Sequence, residues 1–162
     1  PRVRTDYYKN TPNMPAFRGG FDGSRAPVCY NGDIFTISDY ETLCGDYPEL
    51  DRVMLGRGII SNPGLLDRIA AGTNSDGSGT DKETLKRFHQ MIYEGYRQIM
   101  SGDRNVLFKM KELWACMIQI FSDNGKYIKR IKKSQRLEEY ETAAAAVFRD
   151  LDILEGAGFR TY

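Results

Sequence analysis

The sequence predicts two kinds of structure in series: an α/β segment over residues 1–71 and an all-α helix bundle over 81–162, joined by a linker at 72–80. Three observations carry this reading. In the first half, short apolar runs alternate with turn residues, whereas in the second half apolar residues recur every three or four positions. Between them lies Ala71-Gly72-Thr73-Asn74-Ser75-Asp76-Gly77-Ser78-Gly79-Thr80, built from small and turn-forming residues. The chain has 162 residues, 41% of them apolar and 28% charged, enough for one ordinary domain or two small ones with a buried core.

In chain order, Pro27-Val28-Cys29-Tyr30 runs out into Asn31-Gly32-Asp33, and Arg52-Val53-Met54-Leu55 into Gly56-Arg57-Gly58. Each reads as a strand ending in a loop, with Cys29 as a small core residue. Between the strands, Ile37 to Leu43 reads as a short helix with Ser38 as N-cap and Glu41 completing a capping box. Strand, helix, strand is a parallel crossover. Two parallel strands need cover on both faces and neighbours on both edges, so the α/β segment is expected to be incomplete. Pro1 in place of an initiator Met, and the abrupt start Arg2-Val3-Arg4-Thr5, agree with a piece of something longer. Asn62-Pro63-Gly64 fits the start of a short extra helix.

Beyond the linker, Leu85, Phe88, Ile92, Tyr96 and Ile99 mark one helical face, opened by Thr80 or Asp81 and stopped by Ser101-Gly102. A second helix is predicted from about Asp103 to Ser122, with Leu107, Met110, Leu113, Met117 and Phe121 inward and Asp123-Asn124-Gly125 ending it. A third, short and basic, covers 126–133. The last begins near Ser134 and buries Leu137, Tyr140, Ala144, Val147, Phe148 and Leu151, with Ala143 to Ala146 supplying helix propensity. His89, the sole histidine, reads as a helix-surface or packing residue, and Cys116 as core.

Charge follows the same division. Residues 1–80 carry 8 basic and 10 acidic side chains, and residues 81–162 carry 15 and 12. Six cations (Lys126, Lys129, Arg130, Lys132, Lys133, Arg136) fall within eleven positions that contain no acid. No window approaches the eighteen apolar residues of a membrane span, which predicts a soluble chain with no membrane partner. The three cysteines (Cys29, Cys44, Cys116) are odd in number and lack a C-x-x-C spacing, so no disulfide framework and no metal site are expected, and a reducing compartment is the default.

The two strand-end loops hold the most chemistry. Glycine lets backbone N–H groups approach an anion that a Cβ would fend off, and Arg57 adds a bidentate fork. In parallel barrels the loops after the last strands, with the start of a short helix, often form a phosphate site.

The ordered set Asn31-Gly32-Asp33-Ile34, Val53-Met54-Leu55-Gly56-Arg57-Gly58 and Asn62-Pro63, followed by a helical domain, closely resembles the carboxyl half of the tRNA-dihydrouridine synthases over nearly the whole chain. The resemblance implies an incomplete C-terminal part of a TIM barrel followed by a small helix bundle. It also implies FMN as cofactor, NADPH as its reductant, and hydride transfer to a tRNA uridine with a cysteine supplying the other proton. Asn31, Gly32, Asp33, Gly56 and Arg57 would contact the phosphate end of FMN, and Arg2 resembles the arginine of the family's H-x-R motif. The catalytic cysteine, the flavin-contacting lysine and glutamine and the histidine of H-x-R belong to earlier parts of the barrel, so no catalytic residue is expected in this chain and the segment alone is expected to be inactive. The helical domain would help to hold tRNA in the cytoplasm. Lys129, Arg130, Lys132 and Lys133, with Lys109, Lys111 and Trp114 on the preceding helix, are the candidate RNA contacts, core being the alternative for Trp114, and Tyr7 and Tyr8 could stack on a base or close a barrel loop. Two other readings stay open: a small-molecule flavin oxidoreductase of TIM-barrel fold, and a non-catalytic helical RNA-binding module.

Overall fold

The computed structural model describes residues 11–72 and 81–154. Arg2, Tyr7, Tyr8 and all of the expected linker except Gly72 lie outside the described residues.

The first half is more helical than the sequence predicts. Helix α1 (Met14–Asp22) has no counterpart in the sequence reading; it starts at Asn13, whose side chain accepts from the Ala16 N–H at 2.9 Å, with Pro15 in the first turn. Helix α2 (Ile37–Asp46) is the expected crossover helix, but its cap is Thr36 rather than Ser38, and its box is closed by Asp39 rather than Glu41. Thr36 is extended, and its hydroxyl accepts from the Asp39 N–H at 3.1 Å while Asp39 accepts from the Phe35 and Thr36 N–H groups at 2.9 Å each. Helices α3 (Arg57–Ser61) and α4 (Leu65–Ala71) follow the second loop; α4 is the predicted extra helix, and α3 is not in the sequence reading.

The predicted strands shrink to one parallel bridge, Tyr30 with Val53. The Tyr30 N–H donates to the Arg52 carbonyl at 2.9 Å, and the Met54 N–H to the Tyr30 carbonyl at 2.8 Å. The direction of pairing is as predicted, but among the described residues neither segment has a further strand beside it, and a ladder without neighbours does not propagate. Cys29, expected in the core, is exposed. Tyr30, Ile34, Leu43 and Tyr47 form a small core against which Met14 and Phe17 of α1 pack.

The second half is the predicted bundle: α5 (Lys82–Ile99), α6 (Asp103–Met117), a 3-10 turn (Ile118–Ile120), α7 (Gly125–Lys133) and α8 (Leu137–Asp150). Asp81 caps α5, accepting from the Thr84 N–H at 2.7 Å, and Gly102 in the left-handed region at φ 83° turns the chain into α6. The inward face of α5 is Leu85, His89 and Tyr93; Ile99, predicted to face the core, is 78% exposed. Helix α6 stops five residues before the predicted Ser122, because Asn124 donates to the Ile118 and Phe121 carbonyls at 2.9 Å each and Ile120 accepts from the Leu154 N–H at 2.8 Å. Ser134 ends α7, its hydroxyl donating to the Ile131 carbonyl at 2.7 Å, so α8 begins at Leu137 instead of Ser134.

The halves touch. Helix α3 packs on α6 and on the 3-10 turn, and Ile60 joins the bundle core. Trp114, Met110, Met117, Phe121, Ile131, Tyr140 and Val147 are fully enclosed at the centre of that core.

Candidate functional site

The two strand-end loops meet because Tyr30 and Val53 pair, which brings Asp33 and Arg57 together across 24 residues of sequence. The Arg57 Nη2 donates to Asp33 Oδ1 at 2.7 Å, with side chains only 18% and 13% exposed. The guanidinium carbon also stands 5.4 Å from the Phe35 ring centroid, so an aromatic face backs the charged fork. An ion pair sheltered to this degree is oriented rather than swept by solvent.

Glycine is required at Gly58, where the two loops meet, and Gly32 is crowded by a side chain of its own segment. A Cβ on Gly58 would stand 2.3 Å from the Ile34 carbonyl oxygen, which belongs to the loop after Tyr30, and a Cβ on Gly32 would stand 2.1 Å from the Tyr30 hydroxyl. At Gly56 nothing lies within 4 Å of where a Cβ would be, so that backbone is open on its outer side. Of the five candidate residues of these loops, the structure brings Asp33 and Arg57 into direct contact. Cys116 of α6 feels the guanidinium too: burial pushes its thiol up and the Arg57 charge pulls it partly back.

The predicted cationic residues divide into two groups. Lys129, Arg130, Lys132 and Lys133 all project from α7 into solvent, and none of them has an ion-pair partner among the described residues. Buried Tyr127 and Ile131 on the opposite side hold the helix to the bundle. Lys109 and Lys111, by contrast, each have a partner on the protein. Lys109 pairs with Glu112 at 3.0 Å, and the Lys111 ammonium donates to the Ser134 carbonyl at 2.5 Å, capping the end of α7. Trp114 is not on the surface. It is wholly buried, and its indole Nε1–H donates to the Tyr140 hydroxyl at 2.9 Å.

That hydroxyl joins the one histidine. Tyr140 Oη lies 2.5 Å from His89 Nε2 and accepts from Trp114, and with the neutral ring assigned as the Nδ1–H tautomer the hydroxyl donates to Nε2. Burial holds His89 neutral and lowers its pKa to about 4. The ring is 6% exposed and packs against Trp114, Tyr140 and Phe148, a structural role.

Residues 21–156 match the family model described as dihydrouridine synthase (Dus). The chain belongs to the dihydrouridine synthase family. It is 23% identical over 155 residues to a tRNA-dihydrouridine(16) synthase of Neisseria meningitidis serogroup B, which covers 93% of this chain and 45% of that protein. It is 28% identical over 119 residues to the enzyme of that name from Pseudomonas putida, covering 72% of this chain and 36% of the relative. A tRNA-dihydrouridine(47) synthase [NAD(P)(+)] of Aspergillus niger is 33% identical over 79 residues, 49% of this chain and 10% of that one. The chain thus spans less than half the length of these curated relatives.

Every candidate residue except Arg2, Tyr7 and Tyr8 falls within the matched span of this dihydrouridine synthase segment. The sequence reading missed Phe35, which backs Arg57; an aromatic just after Asn31-Gly32-Asp33-Ile34 was the available signal. Among the described residues no helix is long and apolar enough to cross a membrane, and no group of three or more His, Cys, Asp or Glu could hold a metal ion.

Proposed function

We propose that this chain is the C-terminal part of a tRNA-dihydrouridine synthase, an FMN-dependent oxidoreductase that reduces uridine to dihydrouridine in tRNA with NADPH as reductant. One observation carries the reading: a single family match runs from the strand-end loops through α8, so the same relatives account for both the Asp33–Arg57 cluster and the cationic helix. In this reading residues 1–71 complete a TIM barrel, 72–80 connect, and 81–162 hold tRNA, and a cytoplasmic location goes with it. When bound, FMN supplies the hydride chemistry.

The loop cluster suits the phosphate end of that cofactor. Gly56 leaves its backbone accessible and Arg57 supplies a cationic fork already oriented by Asp33 and Phe35. Asp33 itself would repel a phosphate, so we assign it to positioning Arg57 and leave the contacts to Asn31, Gly32, Gly56 and Arg57. Arg2 keeps its assignment on the resemblance alone. None of Cys29, Cys44 or Cys116 is assigned as the catalytic cysteine, and the chain by itself is proposed to be inactive.

For RNA, the four cations of α7 are the principal contacts, while Lys109 and Lys111 act within the bundle. Phosphate contacts of this kind release counterions, so binding falls as salt rises. The test is filter binding of tRNA at low salt to the wild type and to a variant with Lys129, Lys132 and Lys133 each changed to Glu. Loss of most affinity in the variant supports the reading, and equal affinity reduces α7 to a solvated helix face.

A further inference from the structure

Where α7 gives way to α8 the surface holds a shallow, open cleft of about 510 Å³, lined by Arg130, Lys133, Ser134, Glu138, Glu139 and Thr142. Two cations of one helix and two carboxylates of the next line the same cleft. Most of the polar atoms lining it have work to do within the protein. Glu139 accepts from the Gln135 N–H at 2.7 Å, the Ser134 carbonyl accepts from Lys111, and the Thr142 hydroxyl donates to the Glu138 carbonyl at 2.8 Å. What remains, among the described residues, is the Arg130 and Lys133 cations and the Glu138 carboxylate, all exposed and without an ion-pair partner.

A carboxylate set between phosphate-binding cations weakens the hold on a polyanion unless it meets hydrogen-bond donors. In RNA those donors are on the bases and sugars. Two carboxylate oxygens match the adjacent N1–H and N2–H donors of guanine, whereas the pairing edges of adenine and cytosine offer an amino group beside acceptors and that of uracil a single N–H between two carbonyls. We propose that this cleft is a guanine-nucleotide subsite, with Arg130 and Lys133 on the flanking phosphates and Glu138 on the pairing edge of an unstacked guanine. The proposal rests on the RNA-holding reading above and adds base discrimination to it: phosphate contacts position the strand, and this one contact reads it.

Glu138 also lies in the first turn of α8, where a negative charge suits the helix dipole whatever it faces. Two variants separate the roles: Glu138→Ala removes the carboxylate, and Glu138→Asp keeps the charge at the helix start but withdraws it by one methylene. The measurement is fluorescence anisotropy of the full chain with the RNA pentamers UUGUU, UUAUU, UUCUU and UUUUU at low salt. The wild type is expected to bind UUGUU about fivefold or more tighter than UUUUU, the lower end for a bidentate base contact. Both variants are expected to lose that preference while binding UUUUU at least as well, and Lys133→Ala to weaken all four pentamers together. Equal binding of the four by the wild type, or a guanine preference that survives both Glu138 variants, overturns the proposal while leaving the RNA-holding reading in place. Absence of salt-dependent binding to tRNA and to every pentamer overturns both.

Discussion

Lowering the pH from 7 to 4 is expected to unfold this protein partly through one side chain, His89. Its imidazole is held neutral by burial, with a pKa near 4, and its Nε2 already accepts the Tyr140 proton. Charging it would bring a second donor to Tyr140 Oη, which also accepts from Trp114, and would leave the hydroxyl proton without an acceptor. In the unfolded chain the ring takes up its proton near pH 6.5. Between those two values the unfolded state holds the extra proton, so stability is complete above about pH 6.5, declines as pH falls, and levels off below about pH 4. At about 1.4 kcal/mol per pH unit, the whole effect is about 3 kcal/mol, a large part of the stability of a small domain. Urea denaturation at pH 7, 5.5 and 4 measures it, with His89→Gln as the reference that lacks a titrating ring but shares every carboxylate. The wild type is expected to lose about 3 kcal/mol more than the variant over that range. Because the chain has a single histidine, the ring signal in NMR is unambiguous. An imidazole that titrates between pH 6 and 7 in the folded protein, or parallel pH profiles for the two proteins, would refute the reasoning.

Two further outcomes follow from the loop cluster. Arg57→Ala, made in a full-length synthase that carries this segment, is expected to weaken FMN binding by about 1.5–3 kcal/mol, the scale of a charge-assisted hydrogen bond, as read by quenching of flavin fluorescence; unchanged affinity removes the phosphate assignment. Gly58→Ala places a Cβ 2.3 Å from the Ile34 carbonyl oxygen, a backbone atom with little room to yield. It is expected to cost about 1–3 kcal/mol in urea unfolding, and a variant as stable as the wild type would show that the loops are not pressed together there.

The sequence by itself determined what local chemistry controls. The apolar period from Leu85 onward, the Asp81 cap, the Gly102 stop and the run of cations on α7 all involve residues within a turn or two of one another, and the four bundle helices occur in the order that period predicts, with shifted ends on α6 and α8. The motif residues of the two loops were equally legible, since turn glycines and the Asn62-Pro63-Gly64 signal act where they stand. Caps were less so. Thr36 rather than Ser38 opens α2 because Thr36 is the residue whose backbone is extended, and Asp39 reaches back to it.

The tertiary structure decided whatever depends on a distant partner. The turn after α6 is fixed by Leu154, whose N–H donates to the Ile120 carbonyl from far along the chain, and the inward face of α5 turned to His89 and Tyr93 because Tyr140 and Glu141 meet them from α8. The expected strands came down to Tyr30 and Val53, as a ladder needs neighbouring strands that no local pattern supplies. The core alternative for Trp114 was settled by the Tyr140 hydroxyl of α8, and Lys111 is held by the Ser134 carbonyl, both partners more than twenty residues away along the chain. Arg57 shows the principle at the candidate site. Its identity and its loop are written in the sequence, but its pairing with Asp33 exists because two segments 24 residues apart run side by side, and hydrogen bonding across space has no signature in the spacing of residues along the chain.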